Sequence, residues 1–400
     1  MRKRLIPLIM VLCLLVCGCN KDKTPEASTN APTTAPSTQA PTAPATSPEE
    51  SVPEQTQPET TAPTVPETVP PTVPETVPPT VPPTEPPAPA YRHPLTGQVL
   101  SAPFTGRPVA VSIGNTSAAL PQHGIGSADV LVEVESEGDV TRFLAVITDL
   151  QNVEAIGPIR SARTFLNNMA AAFNAPIAHC GGSVRGIRGY YDLNSGKIPN
   201  WNHFDEFTYG AKYFYRDYDR YNYQDYAWEH CLFTSGSNMA KALTDVGYQT
   251  SSPWDLGFTF NENPGITGSA AAEITVTFRA GRTSKLLYDD VSGLYSLRQN
   301  GKNIIDGNTG EAVSFRNVVV LKADQTRASE GNYVRSYYDL IGEGEGHLAV
   351  DGKIVDICWS RSAVDQPFVY TYPDGSAVEL GVGQTYIAVV SLNATPVSCK

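Results

Sequence analysis

The chain has 400 residues, with 29 Lys or Arg against 41 Asp or Glu, so its formal net charge at pH 7 is −12. Nucleic-acid binding needs clustered cations that neutralise phosphates, so this balance argues against a nucleic-acid partner. The sequence contains no P-loop, GxGxxG, HExxH or DxDxDG motif and no CxxC pair, so we expect neither a cofactor nor a metal site.

Residues 1–18 predict a lipoprotein signal peptide. Arg2, Lys3 and Arg4 form a basic start, and an apolar run too short to span a bilayer follows. The sequence Val-Cys-Gly-Cys ending at Cys19 resembles a lipobox, which implies acyl chains such as palmitate on Cys19. The protein is then anchored by lipid on the extracytoplasmic face of the cell membrane. The alternative is an ordinary signal peptide with a chance cysteine.

Residues 19–90 predict a disordered linker rich in Pro, Thr and Glu. This segment has almost no large apolar side chains, so it cannot bury enough surface to offset its ordering entropy. Four-residue repeats such as Thr64-Val65-Pro66-Glu67 favour polyproline II, as in a stalk that carries the folded part away from the membrane.

Residues 91–255 predict a mixed α/β domain with a ligand-binding role. Short β-rich runs at 108–113, 130–134 and 143–147 precede an apolar helical pattern after Arg163, and a second helical pattern follows at 236–246. Residues 256–400 instead carry six β-rich runs and no long helical period, which predicts a mainly antiparallel β domain. The fold class is therefore α+β.

Two arginines near the predicted helix start are the first candidate site. Arg160 and Arg163 stand three residues apart and can fork onto carboxylate, phosphate or sugar oxygens. The alternative is that they pair with the acidic side chains at 133–139. Within that stretch, Glu137 either supplies a site carboxylate or belongs to a simple turn with Gly138.

The second candidate is the turn from His179 to Ser183. Its two glycines allow the backbone to approach a ligand closely. Ser183 could act as a nucleophile with His179 as its base, but a structural histidine is the more ordinary interpretation. The cysteines expected in the mature chain beyond Cys19 are consistent with one or two disulfides or with free thiols: Cys180, Cys231, Cys358 and Cys399.

The third candidate is an aromatic band at 209–228 that contains Arg216 and Arg220. Aromatic faces beside charged groups suit carbohydrate, because sugar C–H faces stack on rings while hydroxyls bond to polar groups. An irregular loop whose aromatics fill a core explains the band equally well.

The motifs IGPIRSAR, HCGGS, GSADVLVEVESEGDVTRFLAV and YDLIGEGEGHLAVDGKIVDICWSR resemble those of YerB-type lipoproteins, a two-domain family of unknown function. The resemblance covers residues 91–392 and implies a lipid-anchored protein with an α/β domain followed by a β domain. It implies no reaction and no cofactor. The expected ligand-binding residues, all on the family's characteristic positions, are Glu137, Arg142, Arg160, Ser161, Arg163, His179, Ser183, Arg216 and Arg220.

Three functions are compatible with this sequence. The leading hypothesis is a lipoprotein module that binds peptidoglycan or another cell-wall glycan. The second is a cell-wall hydrolase or transferase that uses Glu137 or His179 as general acid or base. The third is a scaffold whose β domain recruits envelope proteins. The oligomeric state cannot be read from the sequence.

Overall fold

A computed structural model describes residues 91–183, 191–192, 196–197, 201–251, 256–278, 281–392 and 397–400. The predicted signal peptide at 1–18, the lipid anchor Cys19 and the linker at 19–90 lie outside the described residues. In the described part of the chain, no helix is long and apolar enough to cross a membrane.

The described residues of the first half of the folded chain form short strands and four α-helices. The strands are β1 Tyr91–Arg92, β2 Val99–Leu100, β3 Val109–Asn115, β4 Val130–Glu135, β5 Thr141–Ile147, β6 Ile177–His179, β7 Tyr191–Asp192, β8 Gly196–Lys197, β9 His203–Asp205, β10 Tyr215–Arg216 and β11 Leu232–Phe233. The helices are α1 Thr164–Ala172, α2 Glu206–Tyr209, α3 Tyr218–Tyr223 and α4 Gly236–Val246.

The second half consists of strands, and its described residues contain no helix. The strands are β12 Thr259–Asn261, β13 Ser269–Ala270, β14 Glu273–Thr277, β15 Thr283–Asp289, β16 Leu294–Gln299, β17 Lys302–Asn303, β18 Ser314–Phe315, β19 Asn317–Ala323, β20 Gln325–Glu330, β21 Tyr333–Tyr338, β22 Gly342–Val350, β23 Lys353–Arg361, β24 Val369–Thr371, β25 Glu379–Gly381, β26 Thr385–Ser391 and β27 Val397–Cys399.

One eleven-stranded sheet runs through both halves. Its order is β13-β23-β22-β19-β26-β4-β5-β3-β6-β9, with β24 beside β23. Strand β26 lies between β19 of the second half and β4 of the first half, and it is parallel to both. These central strands are apolar runs buried on both faces, which is typical of parallel pairing. The sheet thus crosses the predicted boundary at residue 255.

Two layers cover this sheet. On one face, α1 packs Phe165, Leu166 and Met169 against the central strands. On the other face, a six-stranded sheet, β17-β16-β15-β14-β27 with β18 beside β16, packs Ile274 and Leu297 into a second apolar cluster. Burial on both faces makes the large sheet the common core of the described fold.

Local sequence explains the two long helices. Helix α4 begins where the Ser235 hydroxyl accepts a hydrogen bond from the Asn238 amide, and it ends at Gly247 in the left-handed conformation. Helix α1 begins after Arg163 as predicted, although the side chain of Arg163 does not cap it. The expected helices and β-rich runs are present, but strands dominate and helices are few, so the first half is less helical than α/β suggests.

Candidate functional site

The segment from Gly157 to Ala162 is held between three neighbours by backbone hydrogen bonds. The amide of Ile159 donates to the Leu232 carbonyl, and the amide of Arg160 donates to the Ser112 carbonyl. On the other side, the Cys180 amide donates to the Arg160 carbonyl. The arginine motif and the His179–Ser183 turn are therefore adjacent.

A cleft of about 490 Å³ opens along this segment. Two of the predicted arginines lie in it, one from the arginine motif and one from the aromatic band. The residues that line the cleft are Ile159, Arg160, Ser161, Cys180, Gly181, Gly182, Phe207, Arg216, Trp228 and Glu229. Three predicted site residues, Arg160, Ser161 and Arg216, are thus brought together.

The two guanidinium groups in the cleft have only loose carboxylate partners. Arg160 Nη1 lies 3.4 Å from a carboxylate oxygen of Glu229, whose side chain is 63% exposed. Arg216 Nη2 lies 3.6 Å from a carboxylate oxygen of Glu206. The exposed Arg160 pair contributes about 0–1 kcal/mol, whereas the Arg216 pair is largely buried but long. Each guanidinium also donates to one backbone carbonyl, that of Glu229 at 3.1 Å for Arg160 and that of Trp228 at 3.0 Å for Arg216. The remaining N–H groups of both arginines can bond to an anionic ligand.

Exposed aromatic rings form one wall of the cleft. The Arg216 guanidinium lies over the Trp228 ring at 4.8 Å from its centre, and Tyr218 and Tyr221 pack around the same indole. Phe207, which the sequence did not single out, also lines the cleft and is 75% exposed. Large exposed rings beside cations are typical of recognition surfaces.

The aromatic band therefore divides into two parts. Tyr213 and Phe214 are buried in the apolar core, as the core-filling interpretation requires. Tyr218, Tyr221 and Trp228 remain exposed, as the recognition interpretation requires. Each interpretation thus applies to different residues of the same stretch.

Gly181 brings the floor of the cleft close to Phe207. Its φ is +55°, in the left-handed region, and a Cβ built on it would lie 2.4 Å from a ring carbon of Phe207. Only glycine meets both conditions without strain. Beside it, Cys180 faces the carboxylate of Glu206, and burial together with that carboxylate raises the pKa of the Cys180 thiol to about 12. Cys180 is therefore a neutral thiol and not a nucleophile at ordinary pH.

His179 lies beneath the floor and is fully buried. Its Nδ1 is 2.8 Å from the Gly181 carbonyl oxygen, and its Nε2 is 3.0 Å from Nδ1 of His203. Burial lowers the pKa of His179, and burial together with His179 lowers that of His203 to about 4. Both imidazoles are thus neutral near pH 7, and both ring nitrogens of His179 are engaged, so neither is directed at Ser183 as a base. Ser183 is buried.

Glu137 is the centre of a separate cluster of charged groups. Its carboxylate accepts bonds from Arg163 Nε at 3.0 and 2.9 Å and from Arg335 Nη1 at 2.5 Å, and Arg142 Nη2 lies 3.5 Å away. Burial alone would raise the pKa of Glu137, but the hydrogen bond and charge of Arg163 and the charge of Arg142 outweigh it and hold the pKa far below its usual range. A carboxyl that never protonates cannot serve as a general acid.

Arg163 thus pairs with an acidic side chain of the 133–139 stretch, which is the second of the two interpretations given for it. Arg335 of β21 was not predicted, because no local pattern connects it with a turn 198 residues earlier. The cluster contacts the cleft wall where Arg142 donates to the backbone carbonyl of Ser161. Glu137, Arg142 and Arg163 are not among the residues that line the cleft.

Arg220 is likewise committed to the fold. Its Nη2 donates to the carbonyls of Ala119 and Leu120 at 2.9 and 3.0 Å, and its Nη1 donates to that of Pro121 at 3.1 Å. The guanidinium also lies 4.1 Å from the centre of the Tyr226 ring. Arg220 therefore fixes the loop after β3 and does not line the cleft.

The four described cysteines are separate free thiols, so the disulfide alternative finds no pair among them. Within the described ranges, no group of three His, Cys, Asp or Glu side chains is arranged to hold a metal ion.

Comparison with known proteins gives consistent matches across the folded part. Residues 95–249 match the N-terminal domain, and residues 274–387 the C-terminal domain, of a family described as protein of unknown function (DUF3048). A Bacillus subtilis (strain 168) relative named "Putative lipoprotein YerB" is 26% identical over 319 residues, which covers 76% of this chain and 91% of the relative. The crystal structure of YerB protein from Bacillus subtilis is similar with a TM-score of 0.61 at 25% identity, over 75% of this chain and 96% of that chain. All nine predicted ligand residues lie within the first match.

Proposed function

Because this chain belongs to the DUF3048 family of YerB-type proteins, we propose that it is a membrane-anchored lipoprotein whose cleft at Arg160 and Arg216 binds an anionic component of the cell wall. The ligand class is a peptidoglycan strand or peptide that offers carboxylates. The single observation that carries this proposal is the pair of loosely partnered guanidinium groups in one open cleft.

The chemistry of the cleft supports such a ligand in two ways. Guanidinium groups donate two parallel hydrogen bonds to a carboxylate, which gives both charge and geometry. The adjacent rings of Trp228 and Phe207 offer apolar faces on which sugar rings or peptide side chains stack. The net charge of −12 does not prevent the cleft from binding an anion, because binding depends on the charge close to the site.

The hydrolase alternative has little support from the geometry. Glu137 is held as a permanent carboxylate by three arginines, and His179 has both ring nitrogens engaged. General acid–base catalysis needs a proton acceptor or donor aimed at the substrate with a pKa near the working pH. The binding function therefore explains the arrangement better.

Co-sedimentation with purified cell wall tests the proposal. The Arg160→Ala plus Arg216→Ala variant removes both cations of the cleft while leaving the Glu137 cluster intact, so we expect its retention to fall at least tenfold below that of the unaltered chain. Arg92→Ala is the matched control, because Arg92 pairs with the exposed Glu262 and is not part of the cleft lining. Equal retention of all three proteins, or no retention of the unaltered chain, would refute the proposal.

A further inference from the structure

A second cavity, of about 370 Å³, lies on the segment that follows β3 and is closed by the turn between β16 and β17. It combines two cations with amide and hydroxyl side chains, and its described lining contains no carboxylate. The residues that line it are Asn115, Thr116, Ser117, Leu120, Arg282, Gln299, Asn300, Lys302, Asn303 and Ile304. None of these residues lines the first cleft.

Arg282 has unused hydrogen-bonding capacity in this cavity. Its Nη2 donates to the backbone carbonyl of Asn115 at 2.6 Å, which fixes the guanidinium against the segment after β3. Its Nε is buried and has no hydrogen-bond partner among the described residues, and the same is true of the Thr116 hydroxyl in the lining. Buried polar groups without partners are destabilising, so this side of the cavity favours a polar ligand over an apolar one.

The wall behind the cavity is rigid because of a buried carboxyl. Glu133 of β4 accepts hydrogen bonds from Asn115 Nδ2 at 3.1 Å and from Gln299 Nε2 at 3.0 Å. Ser284 and Tyr386 donate to its other oxygen at 2.8 and 2.6 Å. The side chains of Asn115 and Gln299 are thus held in place before any ligand arrives, which lowers the entropic cost of binding.

The cavity also has an exposed side. Lys302 lies on the surface at β17, and Asn300 and Asn303 beside it are exposed. Amide side chains both donate and accept hydrogen bonds, whereas Lys302 and Arg282 only donate. This set suits a ligand with one anionic group toward Arg282 and with neutral amides or hydroxyls toward the surface.

We propose that this cavity binds a small carboxylate ligand, with the carboxylate on Arg282 and Lys302 and the neutral part on the exposed amides. The ligand is a peptide carboxyl terminus or a sugar acid, which share this chemistry. The inference is independent of the cleft at Arg160 and Arg216, since it names a different cavity and different cations.

Isothermal titration calorimetry with the mature chain tests it, using glucuronate and N-acetylalanine as the carboxylate probes and glucose and N-acetylalanine amide as their neutral counterparts. We expect at least one carboxylate to bind and both neutral probes to fail, and the tighter carboxylate identifies the source. Arg282→Ala should weaken binding at least tenfold. Lys302→Glu, a change at an exposed position that leaves the core untouched, should weaken it as much.

Two controls make the outcome decisive. Lys241→Ala removes an exposed lysine of α4 and should leave the affinity unchanged, as should the Arg160→Ala plus Arg216→Ala variant of the first cleft. Failure of both carboxylates to bind the folded chain, unchanged affinity in Lys302→Glu, or equally tight binding of inorganic phosphate would each overturn the proposal. A result in which only the double cleft variant loses carboxylate binding would also overturn it, without affecting the function proposed for the cleft.

Discussion

Replacing Glu137 with glutamine should destabilise the fold without changing the shape of the side chain. The carboxylate is bonded to Arg163 and Arg335 and lies near Arg142, and all four side chains are at most 20% exposed. Removing one partner of a buried ion pair costs about 3–5 kcal/mol, because the remaining charge is left desolvated and uncompensated. The partial exposure of Glu137 admits some water, so we expect a loss of about 3 kcal/mol.

Urea denaturation followed by circular dichroism measures this loss, and the melting temperature should fall by roughly 6 °C. Glu262→Gln is the matched control, because it neutralises a carboxylate that is 57% exposed and pairs with Arg92 at 3.2 Å. Its cost should lie below about 1 kcal/mol. If Glu137→Gln also cost less than about 1 kcal/mol, Arg163 would not be committed to the fold, and assigning it a structural role would be wrong.

Two further predictions concern the floor of the cleft. Because the pKa of His203 is lowered to about 4 in the fold, its contribution to stability is complete above its ordinary pKa of about 6.5 and is lost as pH falls toward 4. As the pH falls from about 7.5 to 5, the free energy of unfolding of His203→Phe should therefore decrease by about 1–2 kcal/mol less than that of the unaltered chain in urea denaturation. Identical pH dependence would contradict the assignment of His203 as a half-buried, neutral imidazole. Because the pKa of Cys180 is raised to about 12, its alkylation by iodoacetamide at about pH 8 should be at least roughly tenfold slower than that of the exposed Cys399, whose pKa burial also raises. Comparable rates by mass spectrometry would show that Cys180 is reactive.

Local patterns predicted the two long helices and several core strands, but not the remaining strands or the assembly of the sheet. The apolar runs of β4, β5 and β26 and the Ser235 to Gly247 helix signals lie within single short windows. The insertion of β26 between β4 and β19 depends on pairing across more than 250 residues, and no local pattern encodes such a partner. The continuous sheet was therefore not foreseen.

The same distinction between local patterns and long-range pairing explains which site residues the sequence could predict. Local motifs identify Arg160, Ser161 and the Gly181-Gly182 turn as candidates, and the structure places them in one cleft. The sequence allows Arg163 to pair with an acidic side chain at 133–139, but which arginine pairs and which stays open depends on a distant third partner, Arg335. In the sequence, Arg220 looks no different from Arg216 as a candidate ligand-binding arginine. Only the folded position of the backbone carbonyls at 119–121 reveals that Arg220 has a structural role.

The most direct measurement of the proposed function compares native cell wall with cell wall whose carboxylates have been converted to amides. If Arg160 and Arg216 recognise carboxylates, the unaltered chain should co-sediment with native wall and lose at least tenfold in retention on the amidated wall, because neutral amides cannot accept charge-assisted bonds. The Arg160→Ala plus Arg216→Ala variant should be retained equally weakly by both. Strong and equal retention of the unaltered chain on both walls would contradict carboxylate recognition by the cleft.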